Sequence, residues 1–204
     1  MLTGIDLRTM LLALPGLLLG LVLHEFAHGW TADRLGDPTA RHAGRLTLNP
    51  LAHLDPIGTV LLLLFGFGWA RPTPVNPFNL RSPRRDDVLV TAAGPAANLL
   101  VAFAALLAYR LLPGAWAEVG GTALSTVAAI NVYLAVFNLI PVPPLDGSHI
   151  LAGLIGLPPE RSLQFQQVGS MLLLLLVATR WVGRVLSPVA GWVLGQLARA
   201  AGLG

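Results

Sequence analysis

The sequence predicts an all-α, polytopic membrane protein, and three observations carry that reading. Hydrophobic residues make up 54% of the 204-residue chain and charged residues only 11%, against about 25% charged in a typical soluble domain. Four apolar segments come close to the roughly 20 residues that cross a bilayer. The first of them ends in a titratable cluster, "HEFAH" at residues 24–28, directly after the uncharged run "MLLALPGLLLGLVL". Such groups inside a span cost roughly 2.5–3.5 kcal/mol each on insertion scales, so something must compensate for them.

The four segments run from about Arg8 to Trp30, Val88 to Leu112, Ala123 to Ile140, and Phe165 to Val182. The first resembles a signal peptide in its apolarity, but no small-x-small cleavage site precedes the His-Glu cluster, so it is read as a retained helix. Leu186 to Leu203 is either a further span or an amphipathic helix lying at the interface.

Residues 55–69, "DPIGTVLLLLFGFGW", have an apolar core too short for a regular span. Arg34, Arg41 and Arg45 precede this stretch; Arg71, Arg81, Arg84 and Arg85 follow it. If it re-enters, all of them share one side of the membrane, as the positive-inside tendency favours. Leu112 to Thr122 carries Glu118 and no arginine, which suits an outside loop and an external N-terminus. In the next stretch Pro72, Pro74 and Pro77 exclude a regular helix or central strand, leaving an extended segment or a short β-hairpin with an exposed edge. The chain thus reads as one membrane-embedded domain over 1–204, with a core of about 8–155 and accessory helices over about 160–204.

Composition also excludes chemistries. No cysteine is present, so disulfides, thiolate metal sites and a cysteine nucleophile are ruled out. The net charge is +3, yet the arginines are scattered and form no basic stripe, so nucleic acid is not an expected partner.

His24 and His28 are four apart, which places both imidazoles on one helical face about a turn from each other. Glu25 lies about 100° round from His24, near enough to reach a water at a metal held by the pair. This HExxH pattern reads as two zinc ligands and a general base. The competing account, a helix end with His and Glu snorkelling to water, is costly after so long an apolar run. Catalytic zinc commonly takes three protein ligands and keeps one open position. The best third candidate is Asp146 in "FNLIPVPPLDGSHIL", after a break that Pro141, Pro143 and Pro144 impose. Taken alone, Asp146 could instead cap a helix starting near Ser148.

These residues resemble those of the site-2 proteases, intramembrane zinc metalloproteases. The likeness rests on "HEFAH" at 24–28, "GPAAN" at 94–98 and "NLIPVPPLDG" at 138–147, and it covers roughly residues 15–155. It implies a short form without a PDZ or CBS domain. It further implies one Zn2+ held by His24, His28 and Asp146, with Glu25 as catalytic base. The three motif-bearing segments would be a three-helix catalytic core, flanked by further transmembrane helices. The site would face the cytoplasmic side of a bacterial-type plasma membrane, and the substrates would be transmembrane proteins, as in regulated intramembrane proteolysis.

Three further residues are candidates for substrate or oxyanion contact. Asn98 either hydrogen-bonds a neighbouring helix or positions a substrate carbonyl. Asn138 has the same two readings. His53 approaches the site if the 55–69 segment folds back, or else sits at the interface against water. His42 and His149 are read as surface or interfacial. An extended substrate could pair with an edge between Trp69 and Asn79. The rival functions are a membrane metal-ion transporter, which would not need Glu25 as a base, and a non-catalytic helix-binding scaffold. The apolar content excludes a soluble zinc peptidase. Oligomeric state is open, a homo-oligomer included.

Overall fold

The computed structural model describes residues 7–65, 68–156, 169, 171–173, 175–176 and 181–203. Three long helices form the centre: α1 (Leu7–Leu35), α4 (Pro83–Arg110) and α5 (Ala117–Asn138). Each of the three packs on the other two. Short helices α2 (Thr39–His42) and α3 (Pro56–Phe65) lie between α1 and α4. Helix α6 (Asp146–Ile155) packs on α4, and α7 (Trp181–Ala200) packs on α5 and α4. Among the described residues, Pro83–Arg110 and Glu118–Asn138 are long and apolar enough to cross a membrane. The expected span Phe165–Val182 falls largely outside the described residues.

Small side chains let the long helices approach. Ala102, Ala105 and Ala128 are buried with Leu106 and Val132 where α4 meets α5, and Ala190 and Ala201 join this cluster from the α7 end. On α1, a Cβ at Gly16 would lie 3.0 Å from the Val127 backbone. A spacing of four between Gly16 and Gly20 gives α1 the small ridge that close helix packing uses.

Two arginines bracket α4. Near its start, Arg84 donates to Gly153 O (2.6 Å) and Leu154 O (2.9 Å), the free carbonyls at the end of α6. Near its end, Arg110 donates to Ala201 O (3.1 Å) beyond α7. A cation on terminal carbonyls satisfies orphan acceptors and complements the helix dipole. Leu186 to Leu203, left between a span and an interfacial helix, is mostly part of α7. Its Leu186 and Ala190 are buried, while Val185, Val189 and Trp192 are exposed.

The 55–69 stretch leaves and returns to one place. Leu54 and Ala70 form an isolated antiparallel bridge, and Arg71 N donates to His53 O (2.9 Å). The hairpin allowed for Trp69–Asn79 does not form: that bridge is the one β pairing among the described residues. Pro72, Pro74 and Pro77 have no N–H for a ladder. The chain instead runs as a strap across α1 and ends in a 3-10 turn at Pro77–Asn79. Asp37, just past α1, holds that end. Its fully buried carboxylate accepts from Asn76 N (2.6 Å), Asn79 Nδ2 (2.9 Å), Thr39 N (3.1 Å) and the Thr39 hydroxyl.

Candidate metal centre

The two histidines of α1 are presented at the α4 face, where a glycine makes room for them. A Cβ at Gly94 would lie 2.4 Å from His28 Nε2 and 2.7 Å from His24 Cε1. Any larger residue there would occupy the imidazoles' place. Asp146 arrives from the other side. After α5 ends at Asn138, the Pro141–Pro144 segment turns the chain back. Gly147 permits the turn, since a Cβ there would lie 2.2 Å from Leu139 O. Helix α6 begins at Asp146 itself and has no side-chain cap. The capping role weighed for Asp146 is therefore not the one the fold uses: its carboxylate turns toward the histidines instead.

Three ligand-type atoms converge. His24 Nε2 and His28 Nε2 are 3.0 Å apart, and they lie 3.2 and 3.4 Å from Asp146 Oδ2. The hydrogen bonds behind them decide what these atoms are. His28 Nδ1 lies 2.8 Å from Val90 O, which can only accept, so the proton of a neutral ring sits on Nδ1. His24 Nδ1 lies 2.7 Å from Asn98 Oδ1 and must likewise donate. Both Nε2 atoms then present lone pairs to each other and to a buried carboxylate oxygen that has no hydrogen-bond donor. Three acceptors so placed repel unless a cation lies among them. Two neutral imidazoles and a carboxylate are a donor set that fits zinc.

Glu25 is held from the opposite side. Thr73 N donates to Glu25 Oε2 (2.7 Å), and the Thr73 hydroxyl donates to Glu25 O (3.1 Å). Thr73 lies between Pro72 and Pro74, so it carries the one N–H of that triplet. A cavity of about 700 Å³ opens onto His24, Glu25, His28 and Asp146. Its walls mix leucines of α1 with Trp69, Thr73, Phe137 and His149.

Of the three residues considered for substrate contact, only Asn138 has spare capacity in the cavity wall. It spends one N–H on Leu134 O (3.0 Å). Asn98 is wholly buried, and its amide donates to Gly20 O and Asn131 Oδ1, both at 3.0 Å. Both of its N–H groups are thus taken, while its Oδ1 meets His24 Nδ1 (2.7 Å). His53 is also fully buried but does not line the cavity; it meets Thr47 O (2.8 Å) in the corner where the strap begins. His149, read as surface or interfacial, is exposed and also lines the cavity together with Asp87. Sequence reasoning passed over Thr73, Asp37 and Asn131. Only Asn131 leaves a trace in the sequence, as one of two amides in an apolar helix.

Comparison with known proteins agrees with this chemistry. The family model described as Peptidase family M50 matches residues 114–177. The chain is 41% identical over 183 residues to a Bacillus subtilis (strain 168) protein named "Putative zinc metalloprotease YwhC", covering 85% of this chain and 83% of the relative. It is 30% identical over 188 residues to "Putative zinc metalloprotease Rip2" of Mycolicibacterium smegmatis, covering 89% and 72%. A protein of Methanocaldococcus jannaschii, "Putative zinc metalloprotease MJ0611", is 26% identical over 152 residues, covering 68% and 71%. No solved structure matches the chain.

Proposed function

The chain belongs to peptidase family M50 and is a zinc metalloprotease, and from that premise we propose that it works inside a lipid bilayer, hydrolysing peptide bonds in or near transmembrane segments of other proteins. The observation that carries this reading is the position of the His24–His28–Asp146 cluster. It lies between α1, α4 and α6, and α4 is one of the two helices apolar enough to span a membrane. The paired ends of the 55–69 stretch support a re-entrant segment, with its flanking arginines on the cytoplasmic side of a bacterial-type plasma membrane.

His24, His28 and Asp146 would hold zinc, which when bound supplies a Lewis acid for the scissile carbonyl and acidifies the attacking water. Glu25 takes the proton from that water and returns it to the leaving amine nitrogen. Because Thr73 N–H occupies Oε2, the transfer uses Oε1, which has no hydrogen bond among the described residues. The cavity admits water to the base, and its leucine-lined wall accommodates apolar side chains. A helical substrate must unwind first, since its peptide carbonyls are bonded and shielded. Asn138 in the cavity wall offers an amide to the freed backbone, and the strap lies alongside for the extended substrate.

The test uses the full chain in liposomes, comparing wild type with Glu25→Gln for bound zinc and for cleavage of model transmembrane segments with and without helix-breaking residues. The proposal expects about one zinc in each protein, cleavage by wild type only, and faster cleavage of the helix-broken segments. Cleavage of soluble peptides but of no membrane-inserted segment would overturn the intramembrane reading. Zinc flux into the vesicles, undiminished in Glu25→Gln, would favour a transporter.

A further inference from the structure

The two zinc-ligand histidines are oriented by unlike partners. His28 rests on a backbone carbonyl, whose polarity cannot change. His24 rests on Asn98, a side-chain amide that can present either C=O or NH2 after a half-turn. With NH2 presented, His24 Nδ1 would have to accept, the ring proton would move to Nε2, and the ligand lone pair would be lost. Something must hold that amide the right way round.

We propose that Asn131, on α5, is a positioning residue that sets the polarity of His24 through Asn98. Asn131 is wholly buried and, among the described residues, its hydrogen bonds go to Asn98, Gly16 and Val127 rather than to the ligand set. Its Nδ2 donates to Val127 O (2.9 Å) and Gly16 O (3.2 Å), both obligate acceptors. Its Oδ1 is thereby turned toward Asn98 and can only accept. Asn98 Nδ2 must then face Asn131 (3.0 Å), with its other N–H on Gly20 O (3.0 Å). Asn98 Oδ1 is left for His24 Nδ1 (2.7 Å), and Nε2 is free to bind metal. Hydrogen-bond direction therefore passes from two fixed carbonyls, through two amides, to a metal ligand. The path is built for close contact: a Cβ at Gly20 would lie 2.3 Å from Asn131 Oδ1 and 3.1 Å from Asn98 Nδ2. Outer partners of a ligating histidine typically matter 10–100-fold in metal affinity. Gly20 O still restrains Asn98 when Asn131 is changed, so the expected loss lies near ten-fold.

This inference rests on His24 being a zinc ligand, and the experiment separates the two. Zinc affinity is measured by chelator competition on the full chain in detergent, with the visible spectrum of the Co2+-loaded protein and the melting of the metal-free protein. The variants are Asn131→Ser, which keeps a hydroxyl for Val127 O but cannot reach Asn98, and Asn131→Leu, with His24→Ala as reference. Each Asn131 variant is also made with Asn98→Asp, whose carboxylate offers His24 an acceptor whichever way it turns. Both single Asn131 variants are expected to weaken zinc binding roughly ten-fold and shift the Co2+ bands. In the Asn98→Asp background the same changes should cost nothing, because there is no amide left to orient. Lower melting with zinc affinity and Co2+ spectrum unchanged would overturn the proposal, leaving Asn131 a packing bridge. Equal losses in both backgrounds would overturn it too. Undiminished zinc binding by His24→Ala would instead remove the ligand assignment beneath it.

Discussion

His24 and Glu25 are neighbours on α1, yet their side chains are held by opposite kinds of structure. His24 and His28 are set by helix packing: Gly94 makes their space, Val90 O and Asn98 fix their rings, and α5 supports Asn98. Glu25 is set by a strap outside the helices, through one backbone N–H. The strap is itself tied down some distance away by Asp37. The comparison teaches that metal binding and base positioning can fail separately. Damage to the helix side should remove zinc, whereas damage to the strap should leave zinc bound and slow the chemistry.

The largest expected effect is on the helix side. Gly94→Ala puts a methyl group where the imidazole edges lie, so zinc content should fall to background and cleavage should vanish, as metal analysis and a peptide assay would show. Retained stoichiometric zinc would mean that the imidazoles have another place to go. Next comes Thr73→Pro, which removes the N–H on Glu25 and leaves zinc in place. Its kcat should drop about 10–100-fold, equivalent to about 1.4–2.7 kcal/mol of barrier. Concurrent loss of zinc would erase the distinction between the two sides.

Asp37→Ala should act on both stability and rate. It leaves several donors without a charged acceptor, for a destabilisation of about 3 kcal/mol, and should lower kcat less than Thr73→Pro does. The pH dependence has a definite sign. Burial pushes the Asp37 carboxyl up, but hydrogen bonds from Thr39, Asn79 and the Asn76 backbone outweigh it and hold the group below its ordinary value. A depressed folded value contributes stability that is fully present above the unfolded value of about 3.9 and is lost as pH falls through the folded one. The melting-temperature gap between wild type and Asp37→Asn should be widest above about pH 4 and close as the solution is acidified below it. A gap that is flat through the acid range would show that the carboxylate charge is not what holds the strap. The smallest effect belongs to Thr73→Val, which removes only the hydroxyl bond to Glu25 O and keeps the N–H. It should cost about 1 kcal/mol of stability or less, with kcat nearly unchanged.

How much of this was legible differs residue by residue. The His24–His28 pair follows from a spacing of four, because a helix puts such residues on one face whatever surrounds it. Asp146 was legible through need, as two histidines require a third ligand and the proline break frees a turn to supply it. Thr73 was not legible, since its contribution is a main-chain N–H that almost any residue possesses. Asn98 stood out as polar in an apolar helix, but the pattern could not say whether its donors faced a substrate or a neighbouring carbonyl. His53 drew notice because a folded-back 55–69 segment could bring it to the site, and it lies in a buried corner that does not line the cavity.

The sequence by itself determined the chemistry: apolar helices of near-spanning length, an imidazole pair with a carboxylate beside it, and breaks where prolines remove N–H groups. These are local properties, set by backbone periodicity and side-chain type. Only the tertiary structure decided which atoms meet. Asn131 lies 33 residues from Asn98 and 115 from Gly16, and no local pattern encodes a contact across such distances. The direction of a hydrogen bond is set by the group on its other side. That is why the amides of α4 and α5 acquire their roles only when the glycines of α1 let the three helices close together.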